Sequence, residues 1–119
     1  MMKRVADSFL PLAPATLHIL LALAAEDLHG YGIMQEVARQ SEGTYKMGSG
    51  TLYDNLEKLI DQGLVAESSR RSTKDDPRRR YYRLTAFGRR VFSAEIARME
   101  SVVREAKLRL RGARPKEAL

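Results

Sequence analysis

The segment from residue 48 to residue 85 constrains the fold of this chain more than any other, because three patterns follow one another without a break. Its first part has apolar residues at helical spacing, with Gly63 as the stop. These residues are Leu52, Leu56, Leu59 and Ile60. Residues 64–69 and 79–84 are predicted strands, joined by a polar turn at 72–77. The order helix, strand, charged turn, strand is typical of modules that insert a helix into the DNA major groove beside a hairpin.

Positive charge is concentrated in the same segment. Between Arg70 and Arg90 there are nine basic and two acidic residues, which gives a net charge of +7. The whole chain of 119 residues carries +6, so the rest of it sums to −1. A basic patch on a nearly neutral body is expected for contact with a polyanion, although a solvated charged loop would show the same composition.

Composition narrows the class of protein. A chain of 119 residues with 44% hydrophobic residues supports one domain with a buried core. It has no cysteine and only two histidines, so we expect no disulfide, no metal site and no cofactor. No nucleophile–base constellation or phosphate loop is visible, which argues against an enzyme. The apolar run at 17–25 is preceded by Asp7, Pro11 and Pro14, so we expect a core helix in a cytoplasmic protein, and neither a signal peptide nor a membrane span.

Three further helices are predicted outside the 48–62 helix. The first begins at Pro14 and the second near Tyr31, with residues 26–30 as a short connection and Gly43 as a stop. Their apolar faces are Leu17, Leu20, Leu21 and Ala24, then Ile33, Met34, Val37 and Ala38. The last helix is capped by Thr85 and extends over about 86–111, before a frayed end.

The start of the 48–62 helix has two interpretations. Thr51 and Asp54 stand three residues apart, as in a capping arrangement, and Ser49 is an equally good N-cap.

The last helix repeats apolar residues at alternating spacings of four and three. The repeat consists of Phe92, Ile96, Met99, Val103, Ala106 and Leu110. Such a seam is typical of a coiled-coil-like contact between two chains, whereas the alternative is packing against the chain's own core. A core of three helices and a hairpin is too small to cover so many turns of the last helix, so we favour a dimer interface over packing within the chain.

Five ordered motifs resemble the PadR family of transcriptional regulators. They are LHGYGI at 28–33, GTLY at 50–53, GLV at 63–65, RRYYRLT at 79–85 and GRR at 88–90. The resemblance covers nearly all of residues 12–110 and implies a winged helix-turn-helix, a homodimer built through the terminal helix, and usually repression. The expected fold is mainly α with a small β-hairpin, divided into a DNA-binding domain at 1–85 and a dimerisation helix with a frayed tail at 86–119. The single terminal helix is similar to the compact branch of the family.

Two groups of residues are the candidate DNA contacts. Position and helical phase nominate Lys46, Ser49, Thr51, Tyr53, Asp54 and Lys58. The basic turn contributes Arg70, Arg71, Lys74, Arg78, Arg79 and Arg80, of which alternation along the strands allows about half to face DNA. The same alternation predicts that one of Tyr81 and Tyr82 is buried and the other exposed. Asp54, Glu57 and Asp61 are acidic on the predicted DNA-facing side. Asp54 either accepts a hydrogen bond from cytosine or caps the helix, whereas Glu57 and Asp61 either pair with Lys58 or lie outside the contact.

Similar regulators bind small aromatic compounds near the dimer interface, which suggests an effector pocket. Its candidate lining is Phe9, Leu10, Leu12, Phe92, Ile96 and Met99, although core and dimer packing explain the same residues. His29 is expected to order the start of its helix rather than to bind a metal.

The leading hypothesis is a homodimeric, sequence-specific regulator of transcription, a repressor that binds double-stranded DNA at a near-palindromic operator and is released by a small effector. The alternative is a winged-helix module that binds other proteins and not DNA.

Overall fold

The computed structural model describes residues 2–69 and 79–112, with side chains from residue 5 onward. The elements in these ranges are α1 (Met2–Asp7), α2 (Pro14–Leu23), β1 (Leu28–His29), α3 (Gly30–Gln40), α4 (Ser49–Asp61), β2 (Val65–Ser68), β3 (Tyr81–Leu84) and α5 (Ala86–Gly112). The predicted class, mainly helical with a small antiparallel sheet and a long last helix, is confirmed. The predicted turn at 72–77 lies outside the described residues.

Two short elements differ from the sequence-based expectations. α1 has six residues, and β1 has two and occupies the segment predicted as a connection. Both elements are too short to show a periodic apolar pattern in the sequence. They are also too short to be stable alone, so both depend on tertiary contacts. α1 packs on α5 and buries Ala6. β1 pairs with β3 through Leu28–Tyr82 and His29–Tyr81.

The three strands form an antiparallel sheet in the order β1-β3-β2. The hairpin of β2 and β3, called the wing below, has the register Val65–Leu84 to Ser68–Tyr81. Tyr81 and Tyr82 are 8% and 5% exposed, so the expectation that one of them faces solvent is wrong. Tyr82 joins the core, whereas the ring of His29 on β1 packs edge-on against Tyr81 at 5.3 Å.

Helices α2, α3 and α4 enclose the core together with the first half of α5. The predicted inward positions Leu52, Leu56 and Leu59 are buried, but Ile60 is 38% exposed because it lies one residue, about 100°, beyond Leu59. Leu21 is also 38% exposed. Since α2 is apolar around most of its circumference, its sequence did not determine which side faces inward, and Ile19 and Leu23 are buried in addition to Leu20.

Thr85 joins the end of the wing to the last helix. Its Oγ1 accepts a hydrogen bond from the N–H of Gly88 at 2.9 Å, which confirms the predicted cap, and donates to the carbonyl of Gly63 at 2.6 Å. Gly63 has φ +79°, the left-handed conformation that ends α4. These contacts fix the direction in which α5 leaves the domain.

The buried carboxylate of Glu95 holds the segment before α2 against α5. It is 1% exposed, accepts the N–H of Leu12 at 3.0 Å and pairs with Arg98 at 2.5 Å. The hydrogen bond from Arg98 lowers the pKa of Glu95, although burial opposes that shift. The connection between α1 and α2 is therefore anchored by a charged group inside the fold.

The second half of α5 projects from the domain. At 1.5 Å per residue its 27 residues extend about 40 Å, and every residue from 100 to 112 is exposed. Across the described residues, no helix is long and apolar enough to cross a membrane.

Candidate nucleic-acid interface

The outer face of α4 is polar and open to solvent. The helix turns Leu52, Leu56 and Leu59 into the core. All six residues predicted for DNA contact on or before this helix are exposed. They are Lys46, Ser49, Thr51, Tyr53, Asp54 and Lys58. Of the two exposed tyrosines among the described residues, Tyr53 is the less exposed, at 48%.

The start of α4 has no side-chain cap. Gly48 is the N-cap residue, and the helix begins at Ser49, so the predicted caps at Ser49 or at Thr51 with Asp54 are wrong. Gly48 has no side chain with which to accept a hydrogen bond, and its carbonyl accepts from Leu52 at 3.0 Å. Among the described residues, the first-turn N–H groups therefore have no side-chain acceptor, and N–H groups at a helix start favour anionic ligands.

A hydroxyl fixes the turn between α3 and α4. Ser41 Oγ accepts from the N–H of Tyr45 at 3.0 Å and lies 3.0 Å from the carbonyls of Val37 and Tyr45. Tyr45 in turn stacks on His18 of α2, with 4.5 Å between the ring centroids. The turn is thus tied to both preceding helices, which fixes α4 relative to them.

The acidic residues of α4 are not neutralised by the neighbouring lysine. Asp54, Glu57 and Asp61 are exposed, and the ion pairs of the described residues include neither them nor Lys58. Since Asp54 does not cap the helix either, its carboxylate is available as a hydrogen-bond acceptor on the outer face.

The wing contributes exposed arginines beside α4. Arg79 and Arg80 are both exposed; the other predicted basic contacts, Arg70, Arg71, Lys74 and Arg78, lie outside the described residues. Arg79 Nη1 lies 3.0 Å from His29 Nε2, and Arg80 Nη1 lies 3.8 Å from a carboxylate oxygen of Glu67. Exposed pairs of this kind contribute little stability, so both guanidinium groups can exchange their partners for a phosphate at small cost.

A polar pocket joins the wing to the helices. It has a volume of about 610 Å³ and is called the wing pocket below. Its lining is His29, Gly30, Tyr31, Tyr53, Arg79, Arg80 and Tyr82. His29 Nδ1 accepts from the N–H of Gly32 at 3.1 Å, which confirms its predicted role in ordering the start of α3. The sequence did not show this cluster as one unit, because its members lie in three separate motifs at 28–33, 50–53 and 79–85.

Most of the predicted dimer seam is exposed in the part of the chain that the structure describes. Ile96, Val103 and Leu110 are 37%, 50% and 80% exposed, Ala106 is exposed and Met99 is half-buried. Phe92 is the exception: it is 8% exposed and belongs to the chain's own core, so its assignment to a dimer surface is corrected. Val102 and Leu108 are also exposed, and the four–three spacing did not include them.

The predicted effector residues do not gather around one cavity. Phe9, Leu10 and Leu12 pack against the core that contains Phe92, and Phe9 meets Phe87 edge-on at 5.6 Å. Ile96 and Met99 instead line a groove of about 480 Å³ on α5. The other residues of that groove are Glu100, Val103, Arg104 and Lys107.

A polar, exposed helix on a helix-turn-helix frame, with a basic hairpin beside it, defines the winged helix-turn-helix class of transcription regulators. Residues 19–94 match the transcriptional regulator PadR-like family, so this chain belongs to that family and the predicted resemblance is confirmed. The members are regulators of transcription and not enzymes.

Relatives agree with this assignment. The chain is 34% identical over 93 residues to Transcriptional regulator Rv3488 of Mycobacterium tuberculosis, covering 78% of this chain and 82% of that protein. Its fold is similar to a PadR family transcription regulator from Clostridium difficile, with a TM-score of 0.68, 19% identity and coverage of 82% and 99% of the two chains. It is also similar to Bacillus subtilis PadR in complex with operator DNA, with a TM-score of 0.57, 24% identity and coverage of 70% and 46%.

Proposed function

We propose that this chain is a sequence-specific DNA-binding regulator of transcription that represses its target as a homodimer. The observation that carries the proposal is the wing pocket, where Tyr53 of α4 and Arg79 and Arg80 of the wing meet on one surface. A polar helix beside exposed positive charge suits a duplex, in which base edges and phosphates lie side by side. Membership in the PadR-like family and the operator complex of the Bacillus subtilis relative support this function.

In this proposal α5 pairs two copies. Its projecting half exposes Val102, Val103, Leu108 and Leu110, which are large apolar side chains with no partner among the described residues. A second copy of the helix would remove them from water. Twofold symmetry then sets two α4 helices in successive major grooves, about 34 Å apart, and requires a near-palindromic operator.

We further propose release from DNA by a small planar effector bound at the α5 groove. The groove contains Ile96, Met99 and Val103 as apolar contacts and Lys107 as a cation at its edge. Because it lies on the predicted dimer seam, a ligand there would alter how the protomers pack and thus the spacing of the two α4 helices.

The function is tested by gel mobility shift with DNA from upstream of the chain's own gene. Arg80→Glu should weaken binding by at least about tenfold, since it replaces a charge-assisted contact with repulsion. Arg83→Glu is the matched control, because Arg83 lies on β3 three residues after Arg80, is exposed and is not part of the wing pocket. We expect it to remain close to wild type.

The two hypotheses from the sequence give different results in this assay. A protein-interaction module would give no salt-sensitive shift with any duplex, although the chain remains folded. Equal losses for Arg80→Glu and Arg83→Glu would contradict the proposed part of Arg80 in DNA binding.

A further inference from the structure

We propose that the wing pocket binds one phosphodiester group of the DNA backbone, with the phenols of Tyr31 and Tyr53 as hydrogen-bond donors and Arg79 and Arg80 as the cations. The inference rests on the proposed function and deepens it. It assigns two tyrosines to the DNA backbone, apart from any base contact made by the outer face of α4.

The shape of the wing pocket depends on Gly30. A Cβ atom at this position would lie 2.7 Å from Cζ of Tyr53 and even closer to the phenol oxygen. The absence of a side chain at Gly30 therefore allows the Tyr53 ring to lie across the first turn of α3, next to Tyr31. Residues from α3, α4 and β3 thus converge on one concave surface.

The two phenols have hydrogen-bonding capacity that the fold does not use. Tyr31 and Tyr53 are 57% and 48% exposed, and neither donates to a protein acceptor within the described ranges. A phenol donates through its O–H, and phosphate oxygens are frequent acceptors for tyrosine in protein–DNA complexes. Two exposed aromatic rings with free donors beside two arginines match the chemistry of a phosphodiester.

The positive charges of the wing pocket are weakly engaged. Arg79 competes with the N–H of Gly32 for His29, because a neutral imidazole accepts at only one ring nitrogen. The carboxylate of Glu67 faces Arg80 across 3.8 Å, and both of these side chains are more than half exposed. A phosphate can therefore displace both contacts at little cost.

Two further properties fit a segment of DNA backbone. The phenol of Tyr82, which also lines the wing pocket, is neutral at neutral pH, and burial raises its pKa further, so Tyr82 places no negative charge beside a phosphate. The volume of about 610 Å³ is that of a small-ligand site, larger than a bare phosphate ion requires. A phosphate with its flanking sugars is the better match.

The first experiment uses the full chain and a short duplex selected from a random-sequence library. The double variant Tyr31→Phe with Tyr53→Phe should bind at least about tenfold more weakly, since two hydrogen bonds to a charged group are lost in each protomer. The salt slope of binding should not change, because a phenol carries no charge, whereas Arg80→Gln should lower the slope by about 0.9 per protomer. Tyr45→Phe is the matched control and should bind like wild type.

Gly30→Ala provides a variant that removes no functional group. It should displace Tyr53 and weaken DNA binding to a similar degree, while the midpoint of urea unfolding stays close to that of wild type. Wild-type affinity in both Gly30→Ala and the double phenylalanine variant would overturn the inference.

A second experiment locates the phosphate. Duplexes carrying one uncharged methylphosphonate at successive backbone positions are measured with wild type and with the double phenylalanine variant. At one position per half-site the methylphosphonate should weaken DNA binding by wild type, but it should weaken binding by the double variant much less. Such non-additivity is expected if the modified phosphate and the two phenols interact directly. If the losses of affinity from the methylphosphonate and from the double variant are additive at every position, the inference about the wing pocket is overturned, whereas DNA binding by this chain is not contradicted.

Failure of the wild type to bind any duplex would instead refute the proposed function, and the pocket inference with it.

A free phosphate ion is the other source of the same chemistry. Inorganic phosphate at fixed ionic strength should not raise the melting temperature of wild type above that of the double variant. A saturable increase confined to wild type would assign the wing pocket to the free ion and overturn the DNA assignment.

Discussion

Gly88, in the first turn of α5, packs against the backbone of Leu64, the residue just before β2. A Cβ atom there would lie 2.9 Å from the carbonyl carbon of Leu64 and closer still to its oxygen, and a backbone cannot move aside as a side chain can. Gly88→Ala should therefore destabilise the fold by about 1–3 kcal/mol, measured by urea unfolding. Gly50→Ala is the control, since nothing lies within 4 Å of its Cβ position and alanine favours a helix. Equal stability of the two variants would contradict this close approach.

Glu95 predicts how stability changes with pH. Its folded pKa is lowered from the ordinary 4.5, chiefly by the hydrogen bond from Arg98, so its contribution is present above about pH 4.5 and is lost as the pH falls through the lower folded value. Glu95→Gln should cost about 1–2 kcal/mol near pH 7, because a half-exposed partner weakens the pair, and progressively less below pH 4.5. Thermal unfolding from pH 7 to pH 3 measures the difference.

Glu105→Gln is the matched control for that series, because Glu105 forms an exposed pair with Arg109 on the same helix. It should change stability little at any pH. A cost of Glu95→Gln that stays constant down to pH 3 would show that the charge on Glu95 does not stabilise the fold.

At the scale of elements, the projecting half of α5 is the clearest test of dimer formation. Val103 is 50% exposed on the predicted seam, and Ser101 is exposed roughly on the opposite side of the helix. Val103→Asp should shift the protein from dimer towards monomer in sedimentation equilibrium, since a carboxylate would be buried in the apolar contact between two copies of α5. Ser101→Asp should remain dimeric. A monomeric wild type, or equal behaviour of the two variants, would contradict the proposed interface.

The sequence predicted the long helices well because their apolar residues recur at helical spacing. The helices from Pro14, Tyr31, Ser49 and Ala86 appear within a residue or two of their expected bounds. α1 and β1 were missed because they are too short to repeat and depend on partners distant in sequence. The same limit explains Phe92, since periodicity shows that a side is apolar but not whether the chain's own core or a second chain covers it.

The candidate site was predicted only in part. The helical spacing of Leu52 and Leu56 predicted that the opposite face of α4 is exposed. Thr85 was predicted as the cap of α5 because its hydroxyl can accept a hydrogen bond from a backbone N–H at a helix start. The wing pocket could not be predicted, because proximity of Tyr31, Tyr53 and Arg80 is set by tertiary packing and by the missing side chain at Gly30. Motifs 28–33, 50–53 and 79–85 contained these residues without showing that they meet.

At the scale of the whole molecule, the proposed function requires one continuous surface for DNA on each of two related protomers. α4 supplies polar groups, the wing supplies charge, and α5 sets the distance between the copies. The uneven charge of the sequence, +7 between residues 70 and 90 and −1 elsewhere, would then concentrate attraction on the side that faces the duplex.

The most direct test of that function is the salt dependence of binding to DNA from upstream of the chain's own gene, measured by fluorescence anisotropy. If the dimer neutralises about six to ten phosphates, the logarithm of the binding constant should fall with the logarithm of salt concentration at a slope of about −5 to −9. An affinity that does not respond to salt, or no binding at low salt by a folded dimer, would contradict the proposal that this chain regulates transcription through DNA.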